Sequence, residues 1–226
     1  MSEGPRRRER EVVYGQNAVA EAQRGRRRVH RVWSADELPV GELTRLAGSP
    51  DHQGIVAEVD PYPYADPGAL LDATDALVVV LDQVQDPRNL GAICRSAEVA
   101  GAAGVVIPAR RAARVTAAAC KASAGAVEHI AVARARNLAD WLADATRAGA
   151  WVYGALPGAP TRYDGVDWSG RAVLVLGGEG KGIRPRVAAA CDDLVSIPQA
   201  GRVSSLNVAA AASVLLFEAV RQRFHA

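Results

Sequence analysis

The pattern of hydrophobic and polar positions from residue 75 onward predicts an α/β domain. Short valine-rich runs, such as those at 76–82 and 172–178, have the composition of strands that are buried on both faces. Stretches of helical period separate such runs, which favours a largely parallel sheet covered by helices. The other predicted elements are strands at 104–107, 129–133, 151–155 and 193–198 and helices at 90–100, 115–123, 137–148, 184–190 and 206–223.

A smaller pattern of helix, strand, helix and strand extends over residues 14–59. GQNAVAEAQ has a helical period, whereas VHRVW and GIVAEV have the composition of strands. The segment DPYPYADPG, with three prolines in seven positions, ends this pattern. We therefore predict a basic tail at 1–10, a small α/β domain at 11–60, a linker at 61–74 and a second domain at 75–226.

Helix 206–223 differs from the other predicted helices because it is apolar or small on nearly all sides. A helix at the surface of a domain has one apolar face and one polar face. We therefore expect this helix to be buried or to form a subunit interface.

Composition argues against a membrane span and against a metal site. Hydrophobic residues make up 49% of the chain, yet no uninterrupted apolar run reaches the roughly 18 residues that a membrane helix needs. The first residues lack the apolar segment of a secretory signal. The cysteines, Cys94, Cys120 and Cys191, are odd in number and far apart, which suits a reduced, cytoplasmic protein. The four histidines show no ligand spacing, so we expect no metal.

Positive charge is concentrated at the start of the chain. Residues 1–31 carry nine arginines against four glutamates, a net charge of +5, although the whole chain carries only +2. A basic region on a near-neutral body fits a partner with a phosphate backbone. Residues 6–10 also fit a solvated tail. The better candidates for RNA contacts lie within the patterned region, at Arg24, Arg26, Arg27 and Arg28.

Three segments join the end of a predicted strand to a polar or glycine-rich turn, where open α/β sheets usually bind ligands. The first contains Asp86, Pro87 and Asn89, followed by a helix that carries Arg95 about a turn and a half beyond Asn89. Asn89 is a candidate for a binding residue and also fits a helix N-cap. Arg95 is a candidate for contact with a phosphate and also fits an ordinary surface residue.

The second segment has four glycines between residues 177 and 182, around Glu179 and Lys181. Its spacing fits neither the P-loop, G-x-x-x-x-G-K-[ST], nor the dinucleotide pattern G-x-G-x-x-G, so generic nucleotide binding is disfavoured. Four glycines in six residues still indicate that the backbone comes close to something, with N–H groups ready to bind it.

The third segment runs from Ile197 and Pro198 to Ser205 and Asn207, where the apolar helix begins. Ser205 also fits an N-cap. Asn207 is predicted to lie one turn into an otherwise apolar helix, where its amide needs hydrogen-bond partners that a ligand can supply.

Together and in this order, the three segments closely resemble the motifs of the SpoU (TrmH) branch of the SPOUT methyltransferases, over about residues 77–223. The family pattern is Asp-Pro-x-Asn-x-Gly with Arg six residues after that Asn, then Gly-x-Glu-Gly-x-Gly, then Ile-Pro followed by Ser-Leu-Asn. The sequence has all three in register, at 86–91 with Arg95, at 177–182, and at 197–198 with 205–207.

The resemblance implies a SPOUT-type α/β domain with a C-terminal trefoil knot, a homodimer, and S-adenosylmethionine as the cofactor, released as S-adenosylhomocysteine. It also implies methylation of a ribose 2′-hydroxyl in RNA. By carry-over, Gly177, Gly178, Ile197, Leu206 and Asn207 contact the cofactor, Asn89, Glu179, Ser205 and Asn207 organise the site, and Arg95 meets the RNA.

The N-terminal part resembles the L30e-like substrate-binding domain of RlmB-like members, which methylate a guanosine ribose in 23S ribosomal RNA. The residues that carry this resemblance lie at 14–19 and 52–57. Only eighteen residues separate Trp33 from His52, where such members have a longer stretch. Methylation of tRNA or of another ribosomal nucleotide, as in resistance enzymes, remains an alternative, as does a catalytically silent RNA-binding factor.

Arg95 raises a question about the fate of the proton. This arginine is the residue usually proposed to activate the ribose hydroxyl in the family, but an arginine side chain is effectively always charged. We therefore expect Arg95 to hold a phosphate and to stabilise the developing alkoxide, rather than to act as a base.

Overall fold

The computed structural model describes residues 10–178, 180–203 and 205–224. These residues form two sheets, a small antiparallel one and a large parallel one. None of the helices in this part of the chain is long and apolar enough to cross a membrane.

The small sheet contains strands β1 (Glu11–Tyr14), β2 (Val29–Ser34) and β3 (Ile55–Val59), in the order β1-β3-β2. Helices α1 (Gln16–Arg24) and α2 (Val40–Ala47) pack with it. Strand β1 is not among the predicted elements. Only two of its side chains are buried, too few for an alternating pattern to be visible in the sequence.

The large sheet is parallel in every strand pairing of the described residues. Its strand order is β6-β5-β4-β9-β7-β10-β8. This confirms the α/β fold that the alternating pattern predicts. The strands are β4 (Leu77–Asp82), β5 (Gly104–Pro108), β6 (Ala131–Ala135), β7 (Trp151–Ala155), β8 (Thr161–Arg162), β9 (Ala172–Gly177) and β10 (Asp193–Ser196), and the helices are α3 (Pro87–Val99), α4 (Ala117–Ala122), α5 (Leu138–Arg147), α6 (Pro185–Ala188) and α7 (Val208–Phe224).

Both faces of the large sheet are buried. Alternate side chains of β4 belong to different apolar clusters, with Val79 and Leu81 in one and Val78 and Val80 in the other. Helices α3, α4 and α7 cover the first face, and α5 and α6 cover the second. Because all the strands are parallel, their carboxyl ends meet at one edge of the sheet, the usual place for ligands in open α/β sheets.

The segment predicted as a linker, 61–74, is packed against the larger sheet. The Tyr62 side chain is buried, and its hydroxyl shares its single proton between the carbonyl oxygens of Val127 and Ile130, at 3.0 and 3.1 Å. The Tyr64 hydroxyl accepts from the backbone N–H of Val115 at 3.0 Å. Since one apolar cluster also contains residues of both sheets, the two parts of the chain share a core.

Candidate active site

A cleft of about 600 Å³ lies at the carboxyl edge of the large sheet, between the loops that follow β7, β9 and β10 and the start of α7. Its apolar wall includes Leu156, Leu176 and Val208, and its floor is backbone of the glycine-rich segment. The sequence-predicted residues that line it are Gly177, Gly178, Ile197, Ser205 and Leu206. Glu179 lies outside the described residues.

Contacts within the chain explain two of the four glycine positions in the glycine-rich segment. A Cβ on Gly177 would lie 2.2 Å from the carbonyl carbon of Gly182, and one on Gly178 would lie 2.2 Å from the backbone oxygen of Gln83. Both neighbours are backbone, so a larger residue would force the loops apart. The sequence predicted that the backbone comes close to something here. At these two positions the close neighbour is another backbone segment of the same chain.

Asp82 holds this loop in place and was not predicted from the sequence. It ends β4 and is fully buried, and its carboxylate accepts from the backbone N–H of Arg184 at 2.7 Å and from its Nε at 2.8 Å. Its carbonyl oxygen accepts from the Gly178 N–H at 2.7 Å. The sequence signal for this role was an acidic residue at the end of an otherwise apolar strand. Its partner Arg184 lies 102 residues away in the chain.

Helix α3 begins earlier than predicted, and Asn89 is not its N-cap. The helix starts at Pro87, and the Asp86 side chain caps it by accepting from the Arg88 N–H at 2.8 Å. Proline in the first turn lacks only an N–H that would have no helical partner. Asn89 therefore lies within the first turn, half-buried, where it lines a pocket of about 290 Å³ next to the cleft.

Asn207 is not one turn inside the last helix, because α7 starts at Val208. Its side-chain oxygen accepts from the N–H groups of Ala209, at 2.9 Å, and Ala210, at 3.4 Å, so Asn207 has the capping role that the sequence suggested for Ser205. Its Nδ2 donates to Oδ1 of Asn89 at 3.2 Å. The structure thus joins the first and third motifs through a pair of side-chain amides.

Arg95 is exposed on α3 and is not among the described residues that line the cleft or the pocket beside Asn89. The next residue, Ser96, contacts Ser213 of α7 through their hydroxyl oxygens, 2.8 Å apart. Arg95 therefore stands beside the contact between α3 and α7, and its predicted meeting with RNA stays a prediction.

Arg27 is wrongly placed among the predicted RNA contacts. Its side chain and that of Glu128 are each only 1% exposed and form a salt bridge, with Nε donating to Oε2 at 3.0 Å. A second carboxylate, that of Glu11, lies 3.2 Å away. Burial lowers the pKa of Arg27, but the hydrogen bonds to Glu128 and the interactions with Cys120 and the Glu128 charge together outweigh burial and raise the pKa. Arg27 is therefore a charged residue of the core between the two sheets.

The neighbouring arginines differ in their partners. Arg26 reaches the same junction, where its Nε donates to the backbone oxygen of Glu128 at 3.3 Å. Arg24 pairs with Glu21 at 2.8 Å on the surface of α1. Arg28 is exposed. The predicted RNA contacts of Arg24, Arg26 and Arg28 are untested by this arrangement.

Two of the three cysteines are packing residues. Cys94 and Cys120 are buried, and burial raises the pKa of the Cys120 thiol to about 11. Cys191 is half-buried, and burial raises its pKa to about 12. Among the described residues no three histidine, cysteine or acidic side chains cluster as metal ligands would.

Comparison with known proteins gives a consistent result. The SpoU rRNA Methylase family matches residues 76–217. A protein of Bacillus subtilis named putative TrmH family tRNA/rRNA methyltransferase YacO is 37% identical over 239 residues, which cover 94% of this chain and 96% of that protein. An uncharacterized tRNA/rRNA methyltransferase of Mycobacterium avium is 49% identical over 191 residues, and the match spans 62% of its length.

A solved structure has the same fold over nearly the whole chain. The SpoU methyltransferase AviRb from Streptomyces viridochromogenes, in complex with AdoMet, superposes with a TM-score of 0.80 at 29% identity, covering 96% of this chain and 92% of that one. The fold, the three motifs and the extent of these matches agree. The chain belongs to the SpoU rRNA Methylase family.

Proposed function

We propose that this chain transfers a methyl group from S-adenosylmethionine to a ribose 2′-hydroxyl of RNA, and that its target is a guanosine of 23S ribosomal RNA. The observation that carries the proposal is the hydrogen bond between Asn207 and Asn89, beside a cleft with an apolar wall and a glycine backbone floor. Family membership and the AdoMet complex of AviRb support the same chemistry.

The cleft suits the proposed cofactor in size and lining. Its volume of about 600 Å³ lies within the range of roughly 300–1,000 Å³ typical of cofactor sites. Leu156, Ile197 and Leu206 offer apolar surface to a purine ring. The backbone of the four glycines at 177, 178, 180 and 182 offers N–H and C=O groups. When bound, S-adenosylmethionine supplies a methyl group on a positively charged sulfur, which needs no metal for its transfer.

The residues of the chain would position the acceptor. In the transfer, a bond forms between the ribose oxygen and the methyl carbon, the carbon–sulfur bond breaks with its electron pair left on sulfur, and the hydroxyl proton passes to water. The α7 cap fixes the orientation of the Asn207 amide, which in turn holds Asn89. We assign to this pair the placement of the ribose, and to Arg95 the stabilisation of negative charge on the oxygen.

The same proposal includes a homodimer. Apolar side chains are exposed on α7 and on the loop before it, with Phe217 47%, Val203 75% and Phe224 82% exposed. Exposed apolar surface of this kind marks interaction sites. A partner subunit on this face would stand beside Arg95, because α7 packs on α3. Sedimentation of wild type and of F217E tests it, with the variant expected to be monomeric.

A trefoil knot in the C-terminal part and a cytoplasmic location belong to the proposal as well. The tight backbone contact between Gly177 and Gly182 supports loops packed as closely as a knot requires. The L30e-like role of the N-terminal part rests on the sequence resemblance. It favours ribosomal RNA over tRNA as the substrate.

The test is methylation in vitro with labelled S-adenosylmethionine, offering 23S ribosomal RNA and bulk tRNA separately. A ribose methyl removes the hydroxyl that attacks the neighbouring phosphate in alkali, so the modified nucleotide leaves a gap in an alkaline ladder. We expect label and one gap in 23S RNA. Label on a base would overturn the 2′-O assignment, and label in tRNA alone would overturn the ribosomal target.

A further inference from the structure

A broad groove of about 1170 Å³ lies at the other half of the carboxyl edge, where β4, β5 and β6 end. It is lined by the loops that follow these strands and by the start of α6. The amino-acid pattern gives no hint of it, because its basic residues come from three separate loops. They are Arg110, Arg111, Arg136, Lys181, Arg184 and Arg186.

Two of these cations are neutralised by acidic neighbours. Arg184 pairs with the buried Asp82 at 2.7 Å, and Arg186 pairs with Asp140 at 3.1 Å. The other four, Arg110, Arg111, Arg136 and Lys181, are exposed and form no salt bridge with any residue of the described chain. The groove therefore carries a surplus of about four positive charges, although the whole chain has a net charge of only +2.

The groove is continuous with the candidate active site. Lys181 lines the groove, the cofactor cleft and the pocket that contains Asn89. Gln83 and Gln85 line both the groove and that pocket. A chain molecule lying in the groove thus has a direct path to the Asn89–Asn207 pair.

The loops that form the groove are held in unusual but fixed conformations. Gln83 and Arg111 both have a positive φ, of 64° and 57°, which costs a residue with a side chain on the order of 1 kcal/mol. The Ala113 N–H donates to the Val84 carbonyl at 2.9 Å and ties the two loops together. These features fix the loops after β4 and β5 relative to each other.

We propose that this groove binds the phosphate backbone of the RNA strand that presents the target ribose to the Asn89–Asn207 pair. This inference rests on the proposed function and names the surface that holds its substrate. S-adenosylmethionine carries a net positive charge and is repelled by such a surface, whereas a nucleic acid strand has one negative charge for each nucleotide. Exposed, unpaired arginines are the usual phosphate contacts.

The test compares two double variants that each remove two arginine charges. R110Q/R136Q alters the groove. The control R147Q/R171Q alters the opposite, amino-terminal edge of the same sheet, because Arg147 ends α5 shortly before β7 and Arg171 directly precedes β9. Binding of a fluorescein-labelled single-stranded RNA is measured by anisotropy over a series of salt concentrations. We expect R110Q/R136Q to bind roughly tenfold more weakly and its salt slope to fall by about 1.4, since each lost contact with a single strand removes about 0.7.

Further measurements separate this inference from the proposed function. R110Q/R136Q should bind S-adenosylmethionine like wild type in calorimetry and should raise the KM for RNA more than it lowers kcat. Three results would overturn the proposal that the groove binds RNA. They are equal RNA affinity in wild type and R110Q/R136Q, an equal loss of affinity in R147Q/R171Q, and competition by poly-glutamate as strong as by unlabelled RNA. Binding of RNA through these arginines without any methyl transfer would overturn the proposed function and support the groove.

Discussion

Two arginine-rich regions of this chain have opposite structural roles. The first is contiguous in sequence, at 24–28, and looks like an RNA-binding cluster. In the structure Arg27 is buried against Glu128, and Arg26 bonds to backbone carbonyls at the same junction. The second region is the basic groove, where Arg110 and Arg136 lie 26 positions apart in the chain yet line one exposed surface.

The difference teaches that the density of arginines along a chain does not identify a phosphate-binding surface. A guanidinium is available to RNA only when no carboxylate of the protein satisfies it. Glu128 lies 101 residues from Arg27, so their pairing is invisible in the local sequence. Arg110, Arg111 and Arg136 of the groove form no salt bridge with the described residues, and their exposure leaves them accessible to a ligand.

The largest expected effect is that of R27A on stability. Removing this arginine leaves Glu128 buried without its main partner, which should lower the free energy of unfolding by about 3–5 kcal/mol. Urea denaturation measures it, and R24A, which alters an exposed pair on α1, should leave the transition unchanged. R27M/E128Q should recover most of the loss, because no charge is then left buried. A loss below about 1 kcal/mol for R27A would contradict a structural role.

The second prediction concerns salt. If four phosphates contact Arg110, Arg111, Arg136 and Lys181, RNA affinity should fall about 50-fold between roughly 50 and 200 mM salt, at a slope near −0.7 per contact. Cofactor affinity should change less, because Lys181 is the one charged side chain among the described residues that line its cleft.

A pair of exposed arginines in the N-terminal cluster gives the matched comparison for this salt dependence. R24Q/R28Q removes two positive charges from the first region, as R110Q/R136Q does from the second. We expect R24Q/R28Q to change the slope by less than about half as much. A larger change for R24Q/R28Q would reverse the contrast between the two regions.

The third prediction concerns substitutions of Asn207, which remove no charge from either arginine-rich region. N207S keeps an oxygen that can cap α7, but its side chain is too short to replace the Nδ2 that donates to Asn89. Stability should therefore be kept while kcat falls about tenfold, the value of one hydrogen bond. N207A should lose the cap as well and unfold about 1 kcal/mol more easily. RNA affinity and its salt slope should equal those of wild type in both variants. A change in the slope would mean that Asn207 supports the groove.

The smallest effect is a pH dependence at the buried junction, where Cys120 contacts Arg27. Burial raises the pKa of this thiol from 9.0 to about 11, and the Arg27 charge opposes the shift only in part. A group whose pKa is raised by folding stabilises the fold below its unfolded pKa and loses this contribution as pH rises toward its folded pKa. Between pH 8 and 10 wild type should therefore lose about 1 kcal/mol more stability than C120A. Parallel curves for the two proteins would contradict this.

Particular elements show how far the sequence predicts this fold. The run at 76–82 indicated a strand buried on both faces, and β4 divides its side chains between two apolar clusters. Helix ends were less accurate. Asn89 and Ser205 fitted N-caps by residue type, but Asp86 and Asn207 fill those roles, because several candidates stood next to each other and only the path of the chain chooses among them.

The candidate site shows the same division. Gly177, Gly178, Ile197, Ser205 and Leu206 were predicted from the motifs, and the structure brings them to one cleft. Asp82 and the groove arginines were not predicted, since their partners and neighbours come from distant loops. Arg27 was misassigned for the same reason.

The sequence by itself therefore determined most of the periodic elements and their order along the chain, although not β1 or β8, and the three motifs that carry the chemistry. Each of these depends on residues close together in the chain, where hydrophobic period and residue type are sufficient. The tertiary structure alone decided which charged groups are paired. It buried Arg27 with Glu128, tied Arg184 to Asp82, and left Arg110 and Arg136 exposed in a common groove. The energy of a charge depends on what surrounds it in space, and that is set only when distant parts of the chain meet.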